Sequence, residues 1–195
     1  MSALTVDHSS YDYEWDDLVR IWEETDAPEG CKVEIIEGII TVSPSPARRH
    51  NLIASLVHRR LVLAMPEDWA VVQTQAIAVP PRKGIYIPDL AILPLATLDA
   101  PGQYVAADDV ELVAEVTSPS NGNHDRISKA AGYAAAGIPL YLLIDSFAPG
   151  GPTVTLYGEP KSGVYRVLGA VPFGKGIDLP APFDLTLDTA EFPLR

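Results

Sequence analysis

The sequence predicts an α+β or mixed α/β fold with a central mixed sheet flanked by helices. Three observations lead there. Apolar residues make up 47% of the 195 positions, enough for one buried core. The 18 prolines fall mostly between apolar runs, as in a strand-rich fold with many tight connections. Helix-like and strand-like periodicities also alternate in an order that is neither a repeating βαβ series nor all-β. No stretch resembles a linker long enough to divide the chain, so a single domain over 1–195 is expected.

A helix is expected over 13–24, where Trp15, Leu18, Val19 and Trp22 recur at spacings of three and four along one face. Two strand-like runs follow, 32–36 and 39–43. They meet at Glu37-Gly38, and the β-branched residues on either side favour a hairpin. Ser43-Pro44-Ser45-Pro46 ends it and leads to a second helix over about 47–64, closed by Pro66. Residues 69–79 and 85–93 each read as one strand, the first with a polar Gln73-Thr74-Gln75 centre, the second interrupted by Pro88. Residues 110–117 are nearly all apolar apart from Glu111 and Glu115, as in a strand covered on both faces. A third helix over about 125–136 stops at Gly137 and Pro139, and a buried strand spans 140–144. Residues 153–157 and 164–168 read as a hairpin before a Pro-rich tail.

The lone cysteine, Cys31, has no internal disulfide partner and reads as a buried small apolar side chain. No basic region followed by an apolar stretch opens the chain, so a reducing cytoplasm is the expectation. The longest apolar stretch, 134–144, is too short to span a bilayer, so no membrane role is expected. A net charge of −12 argues against a generic binder of polyanions. Residues 38–88, however, hold six basic side chains against two acidic ones and so form a local basic region.

Two acids are out of place in apolar strands. Glu115 sits within Leu112-Val113-Ala114-Glu115-Val116, and Asp89 follows Pro88 within 85–93. A buried carboxylate needs a cation, a hydrogen-bonded partner or a proton. Two carboxylates on neighbouring strands can bind Mg²⁺ or Mn²⁺, with a backbone carbonyl, here that of Val116, and waters completing the shell. Two edge-facing acids, solvated or salt-bridged, are the plainer alternative.

The order of motifs resembles the restriction-endonuclease family long described as a domain of unknown function, within the PD-(D/E)xK nuclease superfamily. The residues that carry it are Val33-Glu34-Ile35-Ile36-Glu37-Gly38, Ser43-Pro44-Ser45-Pro46 with His50, Pro88-Asp89-Leu90, and Ala114-Glu115-Val116-Thr117-Ser118-Pro119-Ser120. Asp125, Lys129, Tyr133 and the run from Gly137 to Asp145 continue it, so that the likeness covers a core of about 11–157, with 158–195 as a C-terminal extension. It implies that Asp89 and Glu115 are the paired metal acids and that Glu34 is a further carboxylate of the site. The superfamily's lysine is absent two residues after Glu115, where Thr117 stands, and Lys129 is its natural substitute. Asp125, Lys129 and Tyr133 are four apart and share one helix face; an ordinary Asp–Lys surface pair with a packed tyrosine is the plainer reading. His50 is a candidate phosphate contact or proton carrier, or a structural histidine. Arg48, Arg49, Arg59 and Arg60 are candidate contacts to a DNA backbone, or a solvated helix face.

The implied activity is Mg²⁺- or Mn²⁺-dependent hydrolysis of DNA phosphodiesters, and a homodimer suits the cutting of two strands. The alternative is a non-catalytic module on the same fold that binds nucleic acid or protein. Phosphate-binding glycine loops, dinucleotide fingerprints, zinc clusters and nucleophile elbows are all absent from the sequence.

Overall fold

The computed structural model describes residues 4–5, 13–119 and 122–194. Ser120 and residues 11–12 of the expected core lie outside them. Strand β1 (Leu4–Thr5) is followed by helix α1 (Trp15–Glu24) and by the expected hairpin of β2 (Lys32–Ile36) and β3 (Ile39–Ser43). Glu37 and Gly38 both have positive φ, +53° and +79°, which suits the right-handed twist of the strands they join. Helix α2 (Arg48–Val62) then leads to β4 (Trp69–Val72), β5 (Ala76–Val79), β6 (Gly84–Tyr86), β7 (Leu90–Pro94) and β8 (Tyr104–Ala106).

Strand β9 (Leu112–Val116) precedes a π-helical segment, His124–Lys129, that runs directly into α3 (Ala130–Ala135). The expected uniform α-helix over 125–136 is therefore half π-helical. Gly137, at φ +80°, ends it as a left-handed cap. Strand β10 (Leu140–Asp145) and the nine-residue strands β11 (Thr153–Lys161) and β12 (Val164–Pro172) follow, the last two longer than expected. The Pro-rich tail is not bare coil: β13 (Gly176–Leu179) and β14 (Leu185–Asp188) form a small hairpin.

The strands build two six-stranded sheets. The first has the order β1-β3-β2-β6-β5-β8 and the second β12-β11-β10-β9-β7-β4. Both are mixed, with parallel pairs β5–β8 and β9–β10. Two expected single strands turn out to be divided between the sheets. The 69–79 run breaks at Gln73-Thr74-Gln75, where Thr74 has φ +55°, so β4 joins the second sheet and β5 the first. The 85–93 run breaks at Pro88, which has no N–H to continue a ladder, so β6 and β7 also part.

Burial explains the layering. Leu18 and Trp22 of α1 pack with Ile35, Ile40 and Ile85 on the outer face of the first sheet. Ile36, Ile77 and Tyr86 meet Ala91, Leu93 and Val113 of the second sheet, with Tyr133 and Tyr141 among them. The far face of the second sheet is covered by Ile53, Val57 and Leu61 of α2 and by Ile177, Leu179 and Leu187 of the small hairpin. Cys31 is only half-buried, because it follows the turn before β2 rather than entering the strand.

Close packing fixes α3. At Gly132 an added β-carbon would overlap the ring of Tyr86, which also meets Tyr133 edge-on at 5.3 Å. We therefore expect Gly132→Ala to destabilise the fold by about 1–3 kcal/mol through overpacking. Urea denaturation checks this, and the penalty should shrink when Tyr86 is also replaced by leucine.

Candidate functional site

The register of β7 against β9 pairs Leu90 with Ala114 and Ala91 with Val113. Asp89 and Glu115 are the next residues beyond the Leu90–Ala114 pair on the two segments. The break at Pro88 frees Asp89 from the ladder, and its carboxylate Oδ2 accepts the Val116 N–H at 2.9 Å. Strand β2 of the other sheet brings in Glu34, whose Oε1 accepts the Ile87 N–H at 2.7 Å. Both sheets thus contribute acids to one cleft of about 340 Å³, closed by the start of α2 and by the π-helical segment.

Lys129 lies at the centre of this cluster. Its Nζ is 2.8 Å from Glu34 Oε1, 2.9 Å from Glu115 Oε1 and 3.8 Å from Asp125 Oδ1. Tyr133 donates its hydroxyl to Glu115 Oε1 at 2.9 Å. The plainer reading of Asp125, Lys129 and Tyr133 as a surface pair beside a packed tyrosine does not describe this geometry, since all three are buried. His50 Nε2 is 2.8 Å from Asp89 Oδ2, and its Nδ1 is buried with no partner among the described residues.

Two features escaped the sequence reading. Lys32 lies 2.7 Å from Asp89 Oδ1 and also donates to the Ile87 carbonyl at 3.2 Å. Strand alternation carried the signal, because Lys32 is two residues before Glu34 and so shares its face. The second is a clasp behind the cleft. Arg126 grips Asp145 through Nε at 2.7 Å and an Nη at 2.8 Å, and the Thr117 hydroxyl donates to the same carboxylate at 2.9 Å. Thr117, standing where the superfamily pattern has lysine, is thus committed to Asp145, while Lys129 supplies the ammonium beside Glu115.

The four arginines divide. Arg48 and Arg49 lie at the start of α2 near the cleft, whereas Arg59 and Arg60 are in its last turn, about 15 Å further along the helix axis. Arg59 pairs with Glu191 at 3.4 Å.

Charge in the cleft is strongly perturbed. Burial would raise the Asp89 carboxyl, but the bonds and charges of His50 and Lys32 more than offset it and hold it well below the usual carboxylate range. Glu115 is pushed up by burial, with Lys129 only partly countering that. Asp125 is pushed well up by burial and by the neighbouring Glu115 charge. Burial favours loss of the Lys129 proton, yet Glu115, Glu34 and Asp125 outweigh it and keep Lys129 well above an ordinary lysine.

The depressed Asp89 has a stability consequence. Its folded pKa is below its unfolded value, so its contribution is fully present above about pH 4 and fades as the pH falls through the folded pKa. Urea-unfolding free energies measured from pH 5 downward should fall less steeply in Asp89→Asn than in the wild type.

Among the described residues no three His, Cys, Asp or Glu side chains form a ready metal cluster, because Lys32 and Lys129 sit between the acids. The donor set nevertheless suits a hard divalent ion. Glu34, Asp89, Glu115 and Asp125 face two ammonium groups, so with all four ionised two negative charges remain uncompensated, as many as Mg²⁺ carries. Asp89 and Glu115, with the carbonyl of Val116, are the groups that would hold it.

No helix among the described residues is long and apolar enough to cross a membrane. A search among curated proteins gave no match. The fold is similar to that of a solved "putative nuclease belonging to DUF820" from Anabaena variabilis. The two share 17% identity and a TM-score of 0.67, over 91% of this chain and 96% of that one. The profile of the Uma2 family, described as "Putative restriction endonuclease", matches residues 15–190. On that match across most of its length, the chain belongs to the Uma2 family.

Proposed function

We propose that the protein is a divalent-metal-dependent endonuclease that hydrolyses DNA phosphodiester bonds, with Asp89, Glu115 and the Val116 carbonyl holding Mg²⁺ or Mn²⁺. The observation that carries this reading is the convergence of Glu34, Asp89, Glu115 and Lys129 in one cleft, with carboxylates drawn from both sheets. When bound, the metal supplies positive charge beside the phosphate and makes a nearby water more acidic. Phosphodiester hydrolysis depends mainly on positioning and electrostatics, so a few preorganised groups suffice.

In this reading Lys129 acts as a fixed cation. Against its burial, Glu115, Glu34 and Asp125 raise its pKa above that of an ordinary lysine, which suits a group that orients the attacking water and stabilises charge on the phosphate. Tyr133 and Asp125 position it, and Glu34 orients water from the opposite side. In this reading His50, whose Nδ1 has no partner among the described residues, exchanges a proton or binds phosphate. Arg48 and Arg49 lie on the side from which a DNA backbone would approach, which makes the local basic region compatible with the overall charge of −12. A homodimer in the reducing cytoplasm is the proposed working form, because cutting two strands takes two such sites.

Plasmid nicking in Mg²⁺ or Mn²⁺ tests the proposal. Wild type should convert supercoiled DNA to nicked circles, and Asp89→Ala and Glu115→Ala should not. Equal nicking by all three, or none by a well-folded wild type on varied DNA substrates, overturns it. One observation favours a non-catalytic module instead: two ammonium groups already lie against the acids. Mn²⁺ titration separates the two readings.

A further inference from the structure

A second cavity, of about 490 Å³, adjoins the cleft. Phe147, Pro152 and Pro193 give it apolar walls, and the exposed Arg48 and Arg49 belong to the same lining. It shares Ala47, His50, Val116, Ser118 and Pro119 with the cleft. Of these, His50 and Val116 touch Asp89, His50 through Nε2 at 2.8 Å and Val116 through its N–H at 2.9 Å. A ligand seated in this cavity therefore lies one residue away from the acids.

We propose that this cavity is a base-binding subsite, receiving one unpaired nucleobase next to the phosphodiester held in the cleft. The inference rests on the nuclease reading and deepens it by naming the substrate class. The volume falls in the range that takes compact organic ligands, about 300–1,000 Å³. Aromatic and proline walls suit the flat face of a base, which stacks with little regard to sequence. The arginine pair suits the phosphates on either side of that base and would serve no purpose for a purely apolar occupant. Bases in an intact duplex are stacked and paired, so entry needs an unpaired nucleotide or the unstacking cost of extruding one. Single strands, flaps and bulges are thus favoured over perfect duplex.

Two single-stranded oligonucleotides test this, alike except that one carries 2-aminopurine and the other an abasic residue at the same central position. Binding is followed by 2-aminopurine emission and by anisotropy of an end label, in Ca²⁺, with strand integrity checked on a gel. The subsite predicts a change in emission on binding and about ten-fold weaker binding of the abasic strand, within the range for losing one base–aromatic stack. Phe147→Ala should lose the same factor on the 2-aminopurine strand and nothing more on the abasic one. Pro193→Trp, which fills the cavity from a coil segment, should act likewise, and it carries the test if Phe147→Ala misfolds by circular dichroism. Equal affinity for the two strands, or unchanged binding in Pro193→Trp, overturns the subsite while leaving the nuclease reading intact. Failure of the wild type to bind either strand overturns the subsite, and plasmid nicking decides the nuclease reading separately.

Discussion

Lys129→Ala is expected to lower the melting temperature by roughly 6–20 °C. Lys129 is buried and contacts Glu34 and Glu115 below 3 Å, so its removal leaves two acids without their cation. Breaking a buried ion pair from one side costs about 3–5 kcal/mol, and each kcal/mol moves the melting point of a chain this long by about 2–4 °C. The pH response should also strengthen, because Glu115 and Asp125 are pushed up even with the ammonium present. Without the ammonium the carboxyls are held neutral, with folded pKa values above the unfolded ones, so the variant should regain stability as the pH falls. Asp89 pulls the other way only below about pH 4, so it leaves a comparison of pH 7 with pH 5 unaffected. Calorimetric melts at pH 7 and pH 5 check this: a variant that melts with the wild type at both would mean that the contacts carry no stability. If the cleft cleaves phosphodiesters, the same substitution should slow it by about 10²–10³-fold, as for loss of one preorganised charge-stabilising donor.

Asp89→Asn should abolish Mn²⁺ binding in isothermal titration and reduce cleavage by more than about 100-fold, since even groups supporting a metal ligand are worth about 10–100-fold. Asp89 is the residue with most at stake, because it alone gathers Lys32, His50 and the Val116 N–H. The asparagine keeps the shape and an acceptor oxygen, so lost binding reports the charge and not collapse of the cleft. Should the wild type itself take up no Mn²⁺, Lys32 and Lys129 are permanent counter-ions and the non-catalytic reading stands.

Much of the architecture could be read from local chemistry. The apolar stripe Leu18–Trp22, the Glu37-Gly38 turn and the covered β9 strand are set by neighbours in sequence, and the structure has them where periodicity put them. The sheet crossings were not legible, because a strand that leaves one sheet for another looks in sequence like a strand with a flaw. Gln73-Thr74-Gln75 and Pro88 were seen as such flaws, but where each half pairs is decided by residues far along the chain. The same limit governs the site. Asp89 and Glu115 stood out as acids in apolar company, and Glu34 and Lys129 came only from resemblance. Lys32 was missed because a lysine opening a half-buried strand is ordinary until an acid from another segment lies 2.7 Å from it. The commitment of Thr117 to Asp145 likewise needs β9 and β10 side by side.

The position of the π-helical segment bears on how the chain assembles. When synthesis has reached the end of β9, Glu34, Asp89 and Glu115 are all present, while Lys129 and its helix have yet to emerge. Like charges brought together in a nonpolar setting repel, so the two sheets gain little by closing on one another at that stage. Arrival of 122–135, clasped by Arg126 once Asp145 has followed, supplies the missing counter-charge. The counter-charge for Glu34 and Glu115 is thus among the last parts of the cleft to be made.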